Sequence, residues 1–114
     1  MKVIVWHNPK CSSSRKALAY LAERGIEPEI YLYLQEGPSK AKIKDVLKLS
    51  GLKASQLLRP KEAIGQELGL YEGAKEADIL DAMAEHPILI QRPIVITPKG
   101  AAIARPIEAI EPLL

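Results

Sequence analysis

Lys2-Val3-Ile4-Val5-Trp6-His7-Asn8-Pro9-Lys10-Cys11-Ser12-Ser13-Ser14-Arg15 is the stretch on which the reading of this chain turns. Lys2 to Trp6 reads as a short strand. Val3, Ile4 and Val5 are continuous rather than alternating, the pattern of a strand buried on both faces. His7 to Cys11, punctuated by Pro9, is a loop. A helix starts at the serine cluster, where Ser12 or Ser13 can cap it. Ala17, Leu18, Leu21 and Ala22 recur at helical spacing, and Gly25 supplies a C-terminal cap. Glu29 to Leu34, rich in Tyr, Ile and Leu, reads as a second strand. Strand, helix and strand in this order form a βαβ unit, which is right-handed with parallel strands.

The middle of the chain is helical. Ser39 can cap a helix holding Ile43, Val46, Leu47 and Leu49, which Gly51 ends. Shorter helical pieces are expected at Ser55–Leu58 and Lys61–Leu68, and a better helix at Glu76–Glu85, stopped by His86-Pro87. The pattern then reverts. Ile88 to Ile90 is a short apolar run, and Pro93 to Thr97 is a strand. Pro98-Lys99-Gly100 is a turn, and Ala101 to Ala104 completes a hairpin. Pro106 opens a short C-terminal helix at a favoured first-turn position. The expected fold is therefore α/β in the order βαβ, helical insertion, ββα, with a central mixed sheet flanked by helices. It occupies residues 1–114 as a single domain, with the insertion at about 39–86.

Composition narrows the function. Of 114 residues, 47% are apolar, enough for a core without disulfide staples. The formal charge is +2, with Lys and Arg interspersed among Asp and Glu, and there is no Phe. Neither a basic patch nor a base-stacking platform is indicated, so nucleic acid is not an expected partner. One Cys makes no internal disulfide, and one Cys with two distant His makes no structural zinc site. No signal-peptide pattern or membrane-spanning apolar run is evident. A reduced, cytoplasmic protein is expected.

Cys11 lies between a buried strand and the first turn of a helix. The first helical amides have no internal partners, and the helix dipole adds positive charge there. Both effects favour a thiolate, the reactive form of cysteine, and would hold an oxyanion beside it. Lys10 and Arg15 are cations close in sequence, and His7 adds a third if protonated. His7 either tunes Cys11 or is an ordinary polar residue at a strand end; spacing leaves both open. Ser14 stands where a CxxC motif would place its second sulfur. Cys11 can attack but cannot resolve its own mixed disulfide, so a second thiol must come from outside.

The stretch His7-Asn8-Pro9-Lys10-Cys11-Ser12-Ser13-Ser14-Arg15 resembles the opening of the glutathione- and glutaredoxin-dependent arsenate reductase family. The match continues at Leu57 to Glu62, returns at His86 to Gly100 and ends at Arg105-Pro106. Ser12-Ser13, and Pro60 after Arg59, depart from the family's more usual residues. The resemblance implies a thioredoxin-like fold with a helical insertion. It also implies attack on arsenate by Cys11, and an oxyanion held by Arg59, Arg92 and Arg105. His7 would lower the thiol pKa; Arg15, as a cation close in sequence, is the second expected thiolate-tuning residue. Pro93 would be a cis proline. Arg92 and Arg105 flank the expected hairpin, so both can reach one end of the sheet, and guanidinium groups bind tetrahedral oxyanions in bidentate fashion.

Arsenate reduction to arsenite through a Cys11 thiol–arsenate adduct is thus the expected activity. The resemblance implies glutathione as co-substrate and glutaredoxin as protein partner, and a monomer that binds no metal or other cofactor is expected. A glutaredoxin-like thiol transferase is the alternative. A redox-responsive regulator of the same fold family fits less well, because Ser14 replaces the second sulfur of a CxxC switch. A cysteine phosphatase needs five residues between Cys and Arg, and Cys11 and Arg15 enclose three.

Overall fold

The computed structural model describes all 114 residues, 1–114. The chain divides into two compact units, one formed by Met1–Glu36 with Arg92–Leu114 and the other by Gly37–Gln91.

The first unit contains the whole sheet. Its strands are β1 (Ile4–Trp6), β2 (Glu29–Tyr31), β3 (Ile94–Thr97) and β4 (Gly100–Ile103), in the order β2-β1-β3-β4. β1 runs parallel to β2 and antiparallel to β3, and β3 runs antiparallel to β4, so the sheet is mixed. Helix α1 (Ser12–Glu23) makes the crossover between the parallel neighbours β1 and β2, a connection that is right-handed in nearly all folds. Val3, Val5 and Val95 pack with Ala17 and Leu21 of α1 and with Ala104 and Ile110. Ile110 belongs to a C-terminal 3-10 helix, Ile107–Leu113. Val5, Ala17, Leu21, Val95 and Ile110 have no exposed surface, and burying each large apolar side chain stabilises the fold by about 1.5–3 kcal/mol. Trp6 projects oppositely to Val5 and is also buried. The continuous apolar β1 is therefore covered on both faces.

Local backbone chemistry explains where α1 ends. Arg24 is its C-cap, and Gly25 has φ +71°, a left-handed value that costs glycine nothing. The Gly25 amide donates to the Ala22 carbonyl at 3.0 Å and the Ile26 amide to Leu21 at 2.9 Å, which together satisfy the last orphan carbonyls.

Three elements differ from the sequence reading. The second strand stops at Tyr31, and Tyr33–Glu36 form a short helix, α2, instead. Tyr33 is buried with its ring stacked on Trp6 at 6.2 Å, while Tyr31 meets Trp6 at 5.2 Å. That aromatic cluster, rather than β propensity, decides the segment. Helix α1 is capped at Cys11 rather than at Ser12 or Ser13. The loop is already tight at that point, with Cys11 N–H donating to Asn8 O at 3.0 Å and Lys10 N–H to Asn8 Oδ1 at 3.1 Å. Pro106 precedes the C-terminal helix as its N-cap, and the Arg105–Pro106 and Arg92–Pro93 peptides are both cis.

The second unit holds α3 (Lys40–Ser50), α4 (Ala54–Leu57), α5 (Ala63–Glu67), α6 (Glu76–Glu85) and a 3-10 turn at Pro87–Leu89. The Ser39 hydroxyl accepts from Lys42 N–H at 3.1 Å, and Gly51 ends α3 at φ +72°. α6 packs on α3 and α4, and its Glu76 accepts from both the amide and the hydroxyl of Ser55 at 2.8 and 2.6 Å. A single antiparallel bridge, Leu58 to Ile90, ties the segment after α4 to the last residues of the unit, flanked by Arg59 N–H to Leu89 O at 2.7 Å.

Beyond that bridge the chain turns through Pro60 and Lys61, whose φ of +62° is uncommon for a residue with a Cβ. The Tyr71 hydroxyl holds this turn, donating to Arg59 O at 2.5 Å and accepting from Glu62 N–H at 3.0 Å. The ring lies directly over Gly65 of α5, where an added Cβ would stand 2.6 Å from the hydroxyl oxygen. Gly65→Ala should therefore displace Tyr71, break both bonds and destabilise the protein by about 1–3 kcal/mol. In a Tyr71→Ala background the same change should be neutral or stabilising, because alanine is the better helix former by roughly 0.5–1 kcal/mol. Urea unfolding of the four proteins as a double-mutant cycle checks this, and additive effects would contradict it.

Candidate active site

Strand register assembles the site at one end of the sheet. Trp6 pairs with Ile94 at the C-terminal end of β1, and Ile94 with Ile103 across the hairpin. Ala104 N–H then donates to Pro93 O at 2.9 Å, so the next step along both strands sets Arg92 opposite Arg105. β1 leaves the sheet at this same end into the His7–Lys10 loop, which delivers Cys11 to the start of α1. Arg105 Nη2 lies 3.5 Å from Cys11 Sγ, a contact between residues 94 apart in sequence.

Cys11 is buried, with 7% of its surface exposed. Burial by itself pushes its thiol pKa up. The Ser14 amide, the Arg105 guanidinium, the Arg92 charge and the Ser13 amide together outweigh burial, and the net shift is downward. These donors favour the thiolate because they point at charge that exists only in that form.

His7 and Arg15 both take part in the loop that carries the thiol. The His7 ring is buried with Nδ1 2.6 Å from Ser14 Oγ, and the Ser14 hydroxyl also accepts from Asn8 N–H at 3.0 Å. Burial, and then the Arg15 charge, hold the imidazole below its ordinary pKa, so at neutral pH it supplies no third cation. Arg15 Nη1 donates to the Pro9 carbonyl at 2.8 Å, across the loop that carries Cys11. Both residues shape the loop. Ser14, at the position of a second sulfur, is fully buried.

Arg59 stands in the second unit, its Nη1 2.9 Å from Glu62 Oε1. Pro93 is buried at the head of β3. The site features that sequence reasoning missed are the cis Arg105–Pro106 peptide and the role of the Ser14 hydroxyl; neither has a periodicity or spacing signal. No cluster of three His, Cys, Asp or Glu side chains is placed to hold a metal ion, and no helix is long and apolar enough to cross a membrane.

A lowered thiol has a pH signature. Alkylation of Cys11 by iodoacetamide should rise with pH through a midpoint below about 8.5, the value of a free thiol. A midpoint at or above that value would contradict the assignment. The effect on stability has a defined sign. A depressed folded-state pKa contributes stability fully above the unfolded thiol value, and that contribution is lost as pH falls through the folded midpoint. The stability of the wild type relative to Cys11→Ala should therefore fall over that window.

A mixed sheet in this order, with one acidified thiol capping the helix after β1, defines a thioredoxin-like α/β protein. The chain belongs to the ArsC family, whose profile matches residues 6–113. It is 41% identical to an arsenate reductase of Rhizobium meliloti (strain 1021), over all of this chain and 82% of the relative. It is 40% identical to an uncharacterized protein of Escherichia coli (strain K12), over 96% of this chain and 93% of the relative. The solved structure of an arsenate reductase from Vibrio cholerae superposes with a TM-score of 0.94 at 40% identity, covering 100% of this chain and 98% of that one.

Proposed function

We propose that this protein reduces arsenate to arsenite with Cys11 as its nucleophile, glutathione as co-substrate and glutaredoxin as the final reductant. The observation that carries the reading is the Arg105 guanidinium 3.5 Å from a buried, acidified Cys11 thiol. A guanidinium fork beside helix-start amides suits a tetrahedral oxyanion, and relatives named arsenate reductases align over the whole chain.

Each step balances in atoms and electrons. Cys11 thiolate displaces an arsenate hydroxyl, which leaves as water, and forms a sulfur–arsenic bond. Glutathione adds to arsenic with loss of a second water. A glutaredoxin thiolate attacks the glutathione sulfur, forming a mixed disulfide and leaving the electron pair on arsenic, which falls from As(V) to As(III). Water then releases arsenite and restores Cys11. Arg92 and Arg105 bind the oxyanion, and the family resemblance adds Arg59. Under this reading the protein is a single-domain monomer of the reducing cytoplasm and carries no bound cofactor.

A coupled assay with arsenate, glutathione and glutaredoxin, run beside a phosphate ester and a mixed-disulfide peptide, tests the proposal. Arsenate-dependent glutathione oxidation that requires glutaredoxin is the expected result. Turnover of the mixed disulfide alone would overturn it in favour of a thiol transferase.

A further inference from the structure

A groove of about 460 Å³ runs beside the thiol, between one face of α1 and residues 104–107. Ser13, Lys16, Tyr20 and Glu23 form its helical wall, and Ala104, Pro106 and Ile107 line it opposite. We propose that this groove seats the low-molecular-weight thiol that Cys11 requires, a peptide thiol with a carboxylate near its sulfur and an ammonium group at its far end. The proposal rests on the reading of Cys11 as a nucleophile that needs an external thiol.

The groove ends at Arg105, whose guanidinium lies 3.5 Å from the reacting sulfur. Two of its lining residues, Ser13 and Arg105, are also two of the groups that lower the Cys11 thiol, and Arg105 touches the sulfur. A ligand lying in the groove therefore has its near end at Arg105, one hydrogen-bond length from the Cys11 sulfur. The chain has no second cysteine to resolve an adduct, so a thiol from outside has to approach this otherwise buried atom.

Charge selects the occupant. Arg105 and Lys16 stand toward the Cys11 end, and Glu23 lies seven residues beyond Lys16, roughly 10 Å along the helix axis. Lys16 and Glu23 make no ion pair, whereas nearby Lys2 pairs with Glu29 and Arg24 with Glu111. The groove walls are also braced. Arg24 donates to the Tyr20 hydroxyl at 2.7 Å and lies 4.5 Å over its ring, while its bond to Glu111 ties α1 to the C-terminal 3-10 helix. A preformed slot with apolar walls, cations at the near end and a carboxylate at the far end matches a zwitterionic peptide thiol of the γ-glutamyl-cysteinyl type. A small neutral thiol would gain nothing from it.

Two measurements test this without arsenate. In a titration of the wild-type protein with S-methylglutathione, which cannot react, amide NMR shifts are expected at Ser13, Lys16, Tyr20, Glu23 and Ile107. Shifts confined to residues 7–11, or none, would overturn the site. The second measurement is exchange of the Cys11 thiolate with glutathione disulfide. The thiolate attacks one sulfur, the disulfide bond breaks, and glutathione thiolate leaves as the Cys11 mixed disulfide forms. Lys16→Glu should slow this reaction about three- to tenfold, an effect that shrinks at high salt, and leave exchange with neutral 2-hydroxyethyl disulfide unchanged. Equal rates for variant and wild type with glutathione disulfide, or equal slowing with both reagents, would remove the groove. Loss of arsenate turnover with selectivity retained would instead remove only the reading of the overall reaction.

Discussion

Cys11→Ser should bring arsenate turnover to the uncatalysed background while leaving the fold intact. The only other sulfur atoms are the thioethers of Met1 and Met83, which cannot form the sulfur–arsenic bond the mechanism needs. A serine hydroxyl in the same place is not ionised at neutral pH. Structural damage is not expected to confuse the result. Cys11 is the N-cap of α1, and serine is among the preferred residues at that position, so stability should hold or rise by up to about 1 kcal/mol. Steady-state turnover and urea unfolding of the same preparation separate the two effects. Substantial turnover by the serine variant would show that another group carries the chemistry.

The second large effect is expected at Arg105. Its guanidinium acts twice, stabilising the thiolate it touches and, under the proposed function, holding the oxyanion that the thiolate attacks. Arg105→Ala should reduce kcat/KM for arsenate by roughly 10²–10³, the loss typical of one preorganised oxyanion donor. The two roles come apart in a pH profile. The alanine variant should show a thiol midpoint shifted upward, and at a pH above both midpoints its alkylation by iodoacetamide should match the wild type. The deficit with arsenate should persist there. Lysine should restore the thiol midpoint in part and arsenate use poorly, because it keeps charge and loses the fork. Arsenate kinetics near wild type in Arg105→Ala would reduce this residue to a neighbour of the thiol.

Arg92→Ala should show a weaker version of the same pattern. Arg92 lowers the thiol through its charge, by less than the Arg105 hydrogen bond does. A larger effect at Arg92 than at Arg105 would reverse the assignment of which arginine meets the oxyanion first.

Sequence by itself determined the features that depend on a few neighbouring residues. The apolar run Val3–Val5 reads as part of a buried strand, and β1 forms there at Ile4–Trp6. Gly25 and Gly51 end helices because each permits a left-handed φ, and Ser39 starts one because its hydroxyl reaches an amide three residues on. Cys11 at a strand–helix junction was legible as an acidified thiol for the same reason, since the amides of Ser13 and Ser14 come directly after it in the chain. The tertiary structure decided what depends on distant partners. Tyr33 leaves the strand predicted for it because its ring is buried on Trp6. His7 is buried against the Ser14 hydroxyl, where burial and then the Arg15 charge hold its imidazole below its ordinary pKa. Arg105 reaches Cys11 only because the β1, β3 and β4 registers bring together residues 94 positions apart. Strand register is set by the packing of both faces of the sheet, and no local pattern of residues encodes it.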